Sequence, residues 1–349
     1  MKATSSTKTI LVAVALSLIV LFFSLYLAVK SCLNTPLALK EKENTFLVES
    51  GSSVTAITKK LHKEGILLCP EWLRIYARLT NRTMIRAGEY LLKEGMTPMQ
   101  LLSAINQGDV VRHQLTLVEG RTFKQTLQVL FEEEKLQKKL KGIPDRALIE
   151  QLGIDGHNLE GLFFPDTYQY TIDMSDIDVL REAHKKLTQV LDEEWQSRDS
   201  NLPYQNSYEA LIMASIIEKE TGAPEERSAI AGVFVRRLEK GMKLQTDPTV
   251  IYGLGDAYKG NLTRKNLLED TPYNTYTRAG LPPTPIALPG REAIHAALHP
   301  QSGDSLFFVG KGDGHHYFSS SLAEHESAVR KYQLMRVKNY RSSPDQSNK

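Results

Sequence analysis

The distribution of hydrophobic and polar positions separates an apolar N-terminal stretch from a much longer amphipathic remainder. The stretch from Thr9 to Val29 is a run of 21 residues without a charged side chain, bounded by Lys8 and Lys30. At a rise of about 1.5 Å per residue, a helix of this length spans roughly 30 Å, the thickness of the hydrocarbon core of a bilayer. The apolar part of a cleaved signal sequence is shorter. We therefore predict a retained transmembrane anchor over residues 9–29.

One pattern of apolar and polar residues then recurs three times, in copies that begin at Phe46, Tyr90 and Leu115. Each copy predicts a strand, a tight turn and a helix. The turn of each copy contains a glycine: Gly51, Gly95 and Gly120. Each helix follows a hydroxyl side chain that could cap it: Ser52 or Ser53, Thr97, and Thr122. With a second helix predicted over 70–79, residues 44–112 form a small strand-helix-helix-strand subdomain.

The rest of the chain alternates helical periodicity with punctuated polar stretches. Helices are predicted over 176–196, 208–222, 224–241 and 291–298, and a charged helical linker over 123–157. Strands are predicted over 305–309 and 316–319, joined by a glycine-rich turn. Rigid loops rich in Pro, Gly and polar residues are predicted over 158–170, 244–252 and 271–290. These elements predict an α+β fold.

Composition narrows the possible functions. The chain has 43 Lys and Arg against 41 Asp and Glu, a net charge of +2, and no basic block of the kind that binds nucleic acid. Cys32 and Cys69 are too few for a disulfide framework and lack the spacing of a metal site, and their redox state stays open. His315 and His316 are adjacent, but no HExxH pattern accompanies them. We expect no metal and no other cofactor.

Glu218 is a carboxylate on a helical face that should be apolar. The residues three, four and seven positions before it are Ser215, Ala214 and Leu211, which share its face. A poorly solvated carboxyl group favours its neutral form and can donate a proton near neutral pH. Glu220, about 200° further around the helix, is expected to face solvent. A glutamate on a helix is usually a solvated surface residue, so this one helix leaves both interpretations open.

Three blocks of sequence together carry a resemblance to a known family. The first is Glu160-Gly-Leu-Phe-Phe-Pro-Asp-Thr-Tyr168, the second joins Ser215–Thr221 with Leu244–Tyr252, and the third joins Tyr273-Asn-Thr-Tyr276 with Gly280-Leu-Pro-Pro283. The chain resembles the endolytic murein transglycosylases of the YceG-like family over nearly its whole length. The order of elements in residues 44–112 also resembles the peptidoglycan-binding LysM domain.

The resemblance implies a single-pass protein of the bacterial inner membrane whose catalytic part lies in the periplasm. It implies the following division: cytoplasmic tail (1–8), anchor (9–29), linker (30–43), LysM-like subdomain (44–112), catalytic domain (113–340) and flexible tail (341–349). The implied partners are peptidoglycan glycan strands and the inner membrane, with peptidoglycan synthases as further candidates and no nucleic acid.

The family's catalytic glutamate falls on Glu218. A lytic transglycosylase needs one carboxyl group, which protonates the bond between N-acetylmuramic acid and N-acetylglucosamine and then accepts the proton of the muramic C6 hydroxyl. The products carry 1,6-anhydromuramoyl ends, and such cleavage would release or terminate nascent strands. Side-chain type and position suggest these glycan-binding residues: Gln245, Thr246, Asp247, Asn274, Thr275, Tyr276, Glu160 and Asp166.

Two other functions remain open at this point. A muramidase-type hydrolase would use Glu218 with Asp166 or Asp247 as the second carboxylate that hydrolysis requires. A non-catalytic scaffold would use only the anchor and the LysM-like unit. The end group of the product separates the first alternative from transglycosylation, and the absence of glycan cleavage would identify the second.

Overall fold

The computed structural model describes residues 5–154 and 158–334. The tail predicted over 341–349 lies outside the described residues, as do residues 1–4, 155–157 and 335–340 of other predicted segments. The α-helices are α1 (Ser5–Asn34), α2 (Val54–Lys63), α3 (Pro70–Leu79), α4 (Pro98–Gln107), α5 (Phe123–Glu132), α6 (Asp145–Leu152), α7 (Asp176–Ser197), α8 (Ser207–Glu220), α9 (Arg227–Glu239), α10 (Asp247–Leu254), α11 (Arg264–Leu268), α12 (Arg291–Leu298) and α13 (Leu322–Val329). The strands are β1 (Glu43–Val48), β2 (Gly88–Lys93), β3 (His113–Thr116), β4 (Thr167–Tyr170), β5 (Phe307–Gly310) and β6 (His316–Ser319).

Helices and small sheets are mixed throughout, as the predicted α+β class requires. Three two-stranded sheets occur in the described residues: β1 with β2, β3 with β4, and β5 with β6. The chain divides into two compact units, which are described separately below. One unit runs to His113 and includes Gln169–Asp173, and the other contains Gln114–Tyr168 and the residues from Met174 onward.

The first unit contains the predicted order of strand, two helices and strand. β1 and β2 are antiparallel, with Glu43 opposite Lys93 and Val48 opposite Gly88. The turn glycines adopt positive φ, 77° at Gly51 and 81° at Gly95, a conformation that other residues rarely adopt. The caps are Ser53, whose hydroxyl accepts from the Ala56 amide, and Thr97, which forms a capping box with Gln100. A third helix, α4, adds Leu101, Leu102 and Ile105 to the core.

The N-terminal helix α1 contains the apolar run. From Thr9 to Asn34 it is long and apolar enough to cross a membrane, and its large apolar side chains from Ile10 to Leu27 are exposed. Its last residues belong to the first unit, because Leu33 is buried in that unit's core. Cys32 and Cys69 form a disulfide that ties the end of α1 to the residue before α3. The redox state of these two cysteines could not be predicted from the sequence.

The second unit is built around α8. Its residues from Ala210 to Ile217 are all buried, so the helix is apolar on every side over two turns. Helices α7, α9, α10 and α12 contact it. Asn206 caps its N-terminus by accepting from the Glu209 amide, and the helix ends at Glu220. The core of the unit therefore surrounds the helix that carries Glu218.

Several predicted elements differ from the structure. The charged linker over 123–157 is not one helix: α5 and α6 are separated by a segment with Gly142 at φ 86° and Pro144 before α6. The segment 244–252 is not all loop, because α10 begins at Asp247 with a proline in its first turn, a residue that favours the start of a helix. The strand predicted over 305–309 begins at Phe307. Helix α12 matches its predicted bounds.

We expect the disulfide to contribute directly to the stability of the first unit. Replacing Cys32 and Cys69 by serine should lower the free energy of unfolding by about 2–4 kcal/mol, because the bond restricts the unfolded chain across a separation of 37 residues. The measurement is urea denaturation of the full chain in detergent. Reductant should lower the free energy of unfolding of the wild type to that of the variant. It should leave the free energy of unfolding of the variant unchanged. A wild type insensitive to reductant would contradict the expectation.

Candidate active site

Glu218 lies in the last turn of α8 with its carboxyl group nearly closed off from solvent. Its side chain is 7% exposed. Oε2 accepts a hydrogen bond of 3.1 Å from the Gly290 amide, and Oε1 lies 3.9 Å from the Arg227 guanidinium. The burial expected from the spacing of Ser215, Ala214 and Leu211 is therefore confirmed, and Ser215 is itself fully buried.

Burial raises the pKa of Glu218 above its ordinary value. The Gly290 amide, Arg227 and Lys219 oppose this rise, whereas the charge of Glu119 adds to it. The sum leaves a carboxyl group that holds its proton at a higher pH than an exposed glutamate does. Such a group can act as a proton donor and, once deprotonated, as an acceptor.

Two loops enclose this carboxyl group and are fixed to each other by backbone hydrogen bonds. The Gly120 amide donates to Leu288 O over 2.9 Å, and the Leu288 amide donates to Arg121 O over 2.8 Å. Lys219, the neighbour of Glu218, donates to Gly120 O. The surroundings of Glu218 are therefore set by contacts from both loops and from its own helix.

Glu220 does not face solvent, and the expectation that it would is wrong. Its carboxyl accepts a hydrogen bond from the Thr246 hydroxyl. Burial raises its pKa to about 7, and the negative charge of Asp247 acts in the same direction. The helical angle placed Glu220 correctly on another face than Glu218, but α10 packs against α8 and leaves Glu220 only partly exposed. The second unit thus has two acidic side chains with raised pKa values on one helix.

Glu220 lines a cavity of about 480 Å³ together with several of the predicted binding residues. The polar residues in its wall include Glu220, Arg237, Gln245, Asp247, Tyr276 and His316. Tyr276 donates its hydroxyl proton to Asp247 over 2.6 Å. Gln245 has φ 54°, a strained value for a residue with a side chain, and strain of this kind concentrates at functional sites. The buried Arg237 holds Gln245 in place through bonds to Leu244 O and to the Gln245 side chain.

Asn274, Thr275 and Thr246 are buried inside the loops rather than presented to a ligand. Asn274 is 1% exposed and its amide donates to three carbonyl groups, those of Asn266, Leu267 and Glu269. The hydroxyl of Thr275 accepts from the Thr246 amide over 3.0 Å. These side chains shape the loops that carry Gln245, Asp247 and Tyr276.

Glu160 lies in the wall of a second, larger cavity of about 800 Å³. Its carboxyl accepts from the Phe123 amide over 2.8 Å and from the Tyr252 hydroxyl over 3.1 Å. Burial raises its pKa to about 7. Tyr252 and Tyr273 meet edge to face in the same wall, with ring centroids 4.8 Å apart. This cavity combines aromatic faces with a buried acid.

The two cavities share a wall. Lys219 and Pro248 line the larger one, while their chain neighbours Glu220 and Asp247 line the smaller. The end of α8 and the start of α10 thus separate them. Glu218 is one residue before this boundary.

Asp166 is engaged elsewhere. It forms an ion pair with Lys186, and hydrogen bonding from that lysine lowers the pKa of the aspartate. A carboxylate held in its charged form is a poor proton donor. Asp166 contributes to neither of the two cavities.

Histidine and acidic side chains also meet away from Glu218. Glu194, His295 and His299 each bring one potential metal-ligand atom within 4.8 Å of the others. Arg291 forms an ion pair of 2.8 Å with the same Glu194, and a cation in that position favours an ion-pair network over a metal site. His316 pairs with the buried Glu226 over 2.7 Å.

The chain matches the model of the YceG-like family over residues 46–331. It is 33% identical to the endolytic murein transglycosylase of Bacillus subtilis (strain 168) over 302 residues, which cover 82% of this chain and 83% of that protein. It is 28% identical to the protein of the same name from Streptococcus pneumoniae (strain D39), covering 83% of this chain and 58% of that one. The crystal structure of a YceG-like protein from Listeria monocytogenes has a TM-score of 0.52 and 31% identity, covering 82% of this chain and 99% of that one.

The raised pKa of Glu160 predicts how stability depends on pH. Between its ordinary value of 4.5 and about 7 the native protein keeps a proton that the unfolded chain releases. Stability contributed by the neutral group is therefore lost as the pH rises through this window, by roughly 3 kcal/mol at most. Glu160→Gln can accept from the Phe123 amide through Oε1, can donate from Nε2 to the Tyr252 oxygen as the protonated carboxyl would, and never ionises. We expect it to be more stable than the wild type at pH 8 and equal to it at pH 4.

The measurement is urea denaturation at a series of pH values. Glu132→Gln, at an exposed position on α5, is the matched control and should follow the wild type. If the free energy of unfolding of Glu160→Gln depended on pH in the same way as that of the wild type, a protonated Glu160 would be contradicted.

Proposed function

Because the chain belongs to the YceG-like family, we propose that it is a membrane-anchored lytic transglycosylase that cleaves within peptidoglycan glycan strands and uses Glu218 as its catalytic acid and base. The names of the relatives from B. subtilis and S. pneumoniae support the reaction class. Glu160 and Glu220 also have raised pKa values, so the choice of residue rests on the position of Glu218 in the sequence blocks that resemble the family, and its buried carboxyl with a raised pKa supports that choice.

The proposed mechanism uses one carboxyl group twice. Protonated Glu218 donates to the glycosidic oxygen between N-acetylmuramic acid and N-acetylglucosamine, and the bond to muramic C1 breaks with positive charge developing on C1. Glu218, now a carboxylate, accepts the proton of the muramic C6 hydroxyl as O6 bonds to C1. The proton count balances, Glu218 ends protonated, and one strand ends in a 1,6-anhydromuramoyl group. No water is consumed.

The geometry favours this reaction over a hydrolase that uses Asp166 or Asp247. Hydrolysis needs a second carboxylate placed for attack or for activation of water. Asp166 is tied to Lys186, and Asp247 is bonded to Tyr276 in the cavity on the Glu220 side. Neither is among the groups that contact Glu218.

We assign glycan binding to the two cavities. Tyr252 and Tyr273 offer aromatic faces to sugar rings, and Glu160 offers a hydrogen-bonding carboxyl. Gln245, Asp247 and Tyr276 offer polar groups on the other side of the boundary. Asn274, Thr275 and Thr246 act by holding the loops in place. The first unit, with its LysM-like order of elements, is proposed to bind or position glycan without doing chemistry.

The proposed topology places the cleavage site outside the cytoplasm, with α1 as a retained single-pass anchor in the inner membrane. Two observations support it. The exposed apolar run of α1 matches the thickness of a bilayer. The disulfide between Cys32 and Cys69 joins the end of that helix to the first unit, and such bonds persist in oxidising compartments such as the periplasm.

A periplasm-dependent reporter fused after residue 349 should be active in cells, because the substrate exists only in the cell wall. A matched fusion of a cytoplasm-dependent reporter should be inactive. Activity of only the cytoplasmic reporter would reverse the topology, and recovery of a soluble protein that begins near Cys32 would show that the anchor is cleaved.

Glu218→Gln should abolish nearly all cleavage. The substitution keeps the size and a hydrogen-bonding group but removes the proton that both steps move, so the loss in rate should reach or exceed about 10⁴. The melting temperature should stay level or rise, since a neutral amide replaces a buried acid. The measurement is mass spectrometry of glycan products together with thermal unfolding.

Glu220→Gln is the matched comparison, on the same helix but with its carboxyl toward Thr246. Its loss of activity should be far smaller than that of Glu218→Gln. The assignment of the catalytic acid is wrong if the order of the two variants is reversed. Reducing muramic ends from the wild type would instead support the hydrolase.

A further inference from the structure

The surroundings of Glu218 contain another carboxyl group that the single-carboxyl mechanism does not use. Glu119 stands in the loop between β3 and α5 and is exposed. A Cβ added to Gly290 would lie 2.1 Å from Glu119 Oε1, so the Glu119 carboxyl rests directly against this glycine. The amide of the same Gly290 donates to Glu218 Oε2. Both carboxyl groups therefore contact the same glycine residue.

The position of Glu119 is fixed by the fold. The next residue, Gly120, donates to Leu288 O, and its own carbonyl accepts from Lys219. The peptide after Glu119 is thus held both by the loop that carries Gly290 and by the residue after Glu218. A Cβ added to Gly120 would lie 3.9 Å from Glu218 Cγ. The backbone at Glu119 is therefore held near Glu218.

Charge distinguishes Glu119 from the other groups near Glu218. The cations are Lys219 on α8 and Arg227 on α9, and Arg227 also pairs with Glu292 of α12. Both cations favour the ionised form of Glu218, and Glu119 opposes them. The charge of Arg227 is shared with Glu292, its second acidic partner. Glu119 is exposed to solvent.

We propose that Glu119 is a second functional carboxylate of this site, placed to stabilise the positive charge that develops on the muramic ring while Glu218 moves the proton. The proposal rests on the proposed transglycosylase reaction. Negative charge beside a developing cation stabilises the transition state, most strongly where bound substrate excludes water. Glu119 gains and loses no proton in this role, so the balance of the reaction is unchanged.

The role has a consequence for proton affinity. A negative charge beside Glu218 makes its proton harder to remove, so Glu119 keeps the catalytic acid protonated toward neutral pH. Removing that charge should weaken catalysis and also move the alkaline limb of the pH profile of kcat to lower pH. A residue that only supports the loop would not move that limb.

The test compares Glu119→Gln with the wild type, using the full chain in detergent and uncrosslinked glycan strands as substrate. We expect kcat to fall about tenfold to a hundredfold. The alkaline limb should move down by about half a pH unit or more, and KM should change much less than kcat. Glu119→Asp should keep part of the wild-type kcat, and its alkaline limb should lie between those of Glu119→Gln and the wild type. Glu134→Gln removes an exposed carboxylate elsewhere and should match the wild type.

Gly290→Ala displaces the same carboxyl without removing its charge. Gly290 has φ −77°, which alanine adopts without strain, but its Cβ would occupy the position of Glu119 Oε1. We expect kcat to fall less than in Glu119→Gln and the alkaline limb of the pH profile to move in the same direction. The double variant with Glu119→Gln should be little worse than Glu119→Gln alone, because the two changes act on one contact.

The inference is overturned if Glu119→Gln leaves the alkaline limb in place or moves it to higher pH while its melting temperature matches the wild type. It is also overturned if the effects of Gly290→Ala and Glu119→Gln simply multiply. Failure of the proposed function shows elsewhere, in reducing ends made by the wild type or in an active Glu218→Gln. The two failures are therefore distinguishable.

Discussion

The enclosure of helix α8 is the constraint on which the second unit depends. A helix that is buried on every side from Ala210 to Ile217 has to be surrounded, and α7, α9, α10 and α12 do so. The side chains that follow, from Glu218 to Glu220, emerge where this enclosure ends. Two carboxyl groups are therefore only partly released from the core, and desolvation raises the pKa of each. The stability gained by burying the helix is what holds these acids in a poorly solvated place.

The loops around Glu218 are placed by backbone contacts more than by side chains. Hydrogen bonds between the segments at Gly120 and Leu288 bring two distant parts of the chain together. Gly290 allows its amide to reach Glu218 and leaves room for the Glu119 carboxyl. A side chain at this position would force the Glu119 carboxyl to move. The electrostatic environment of the candidate catalytic residue thus depends on the absence of a single Cβ.

Many polar residues in the loops serve the fold first. Asn274 satisfies three carbonyl groups, and Arg237 satisfies the carbonyls of Lys243 and Leu244. Irregular loops that are buried have to pair their backbone groups in this way, because an unpaired buried carbonyl is costly. The side chains that face the cavities include Gln245, Asp247, Tyr276 and Tyr252, and each of them is also held by a hydrogen bond within the protein.

Features that depend only on neighbouring residues could be predicted from the sequence. The apolar length of α1, the turn glycines, the capping residues Ser53, Thr97 and Thr122, and the inward position of Glu218 all follow from signals within one or two helical turns. Features that depend on contacts between distant residues could not be predicted in this way. The burial of Glu220 comes from Thr246, the approach of Glu119 comes from Gly290, and the pairing of Cys32 with Cys69 spans 37 residues. Periodicity tells which way a side chain points from its own helix, but only the packed fold determines what meets it there.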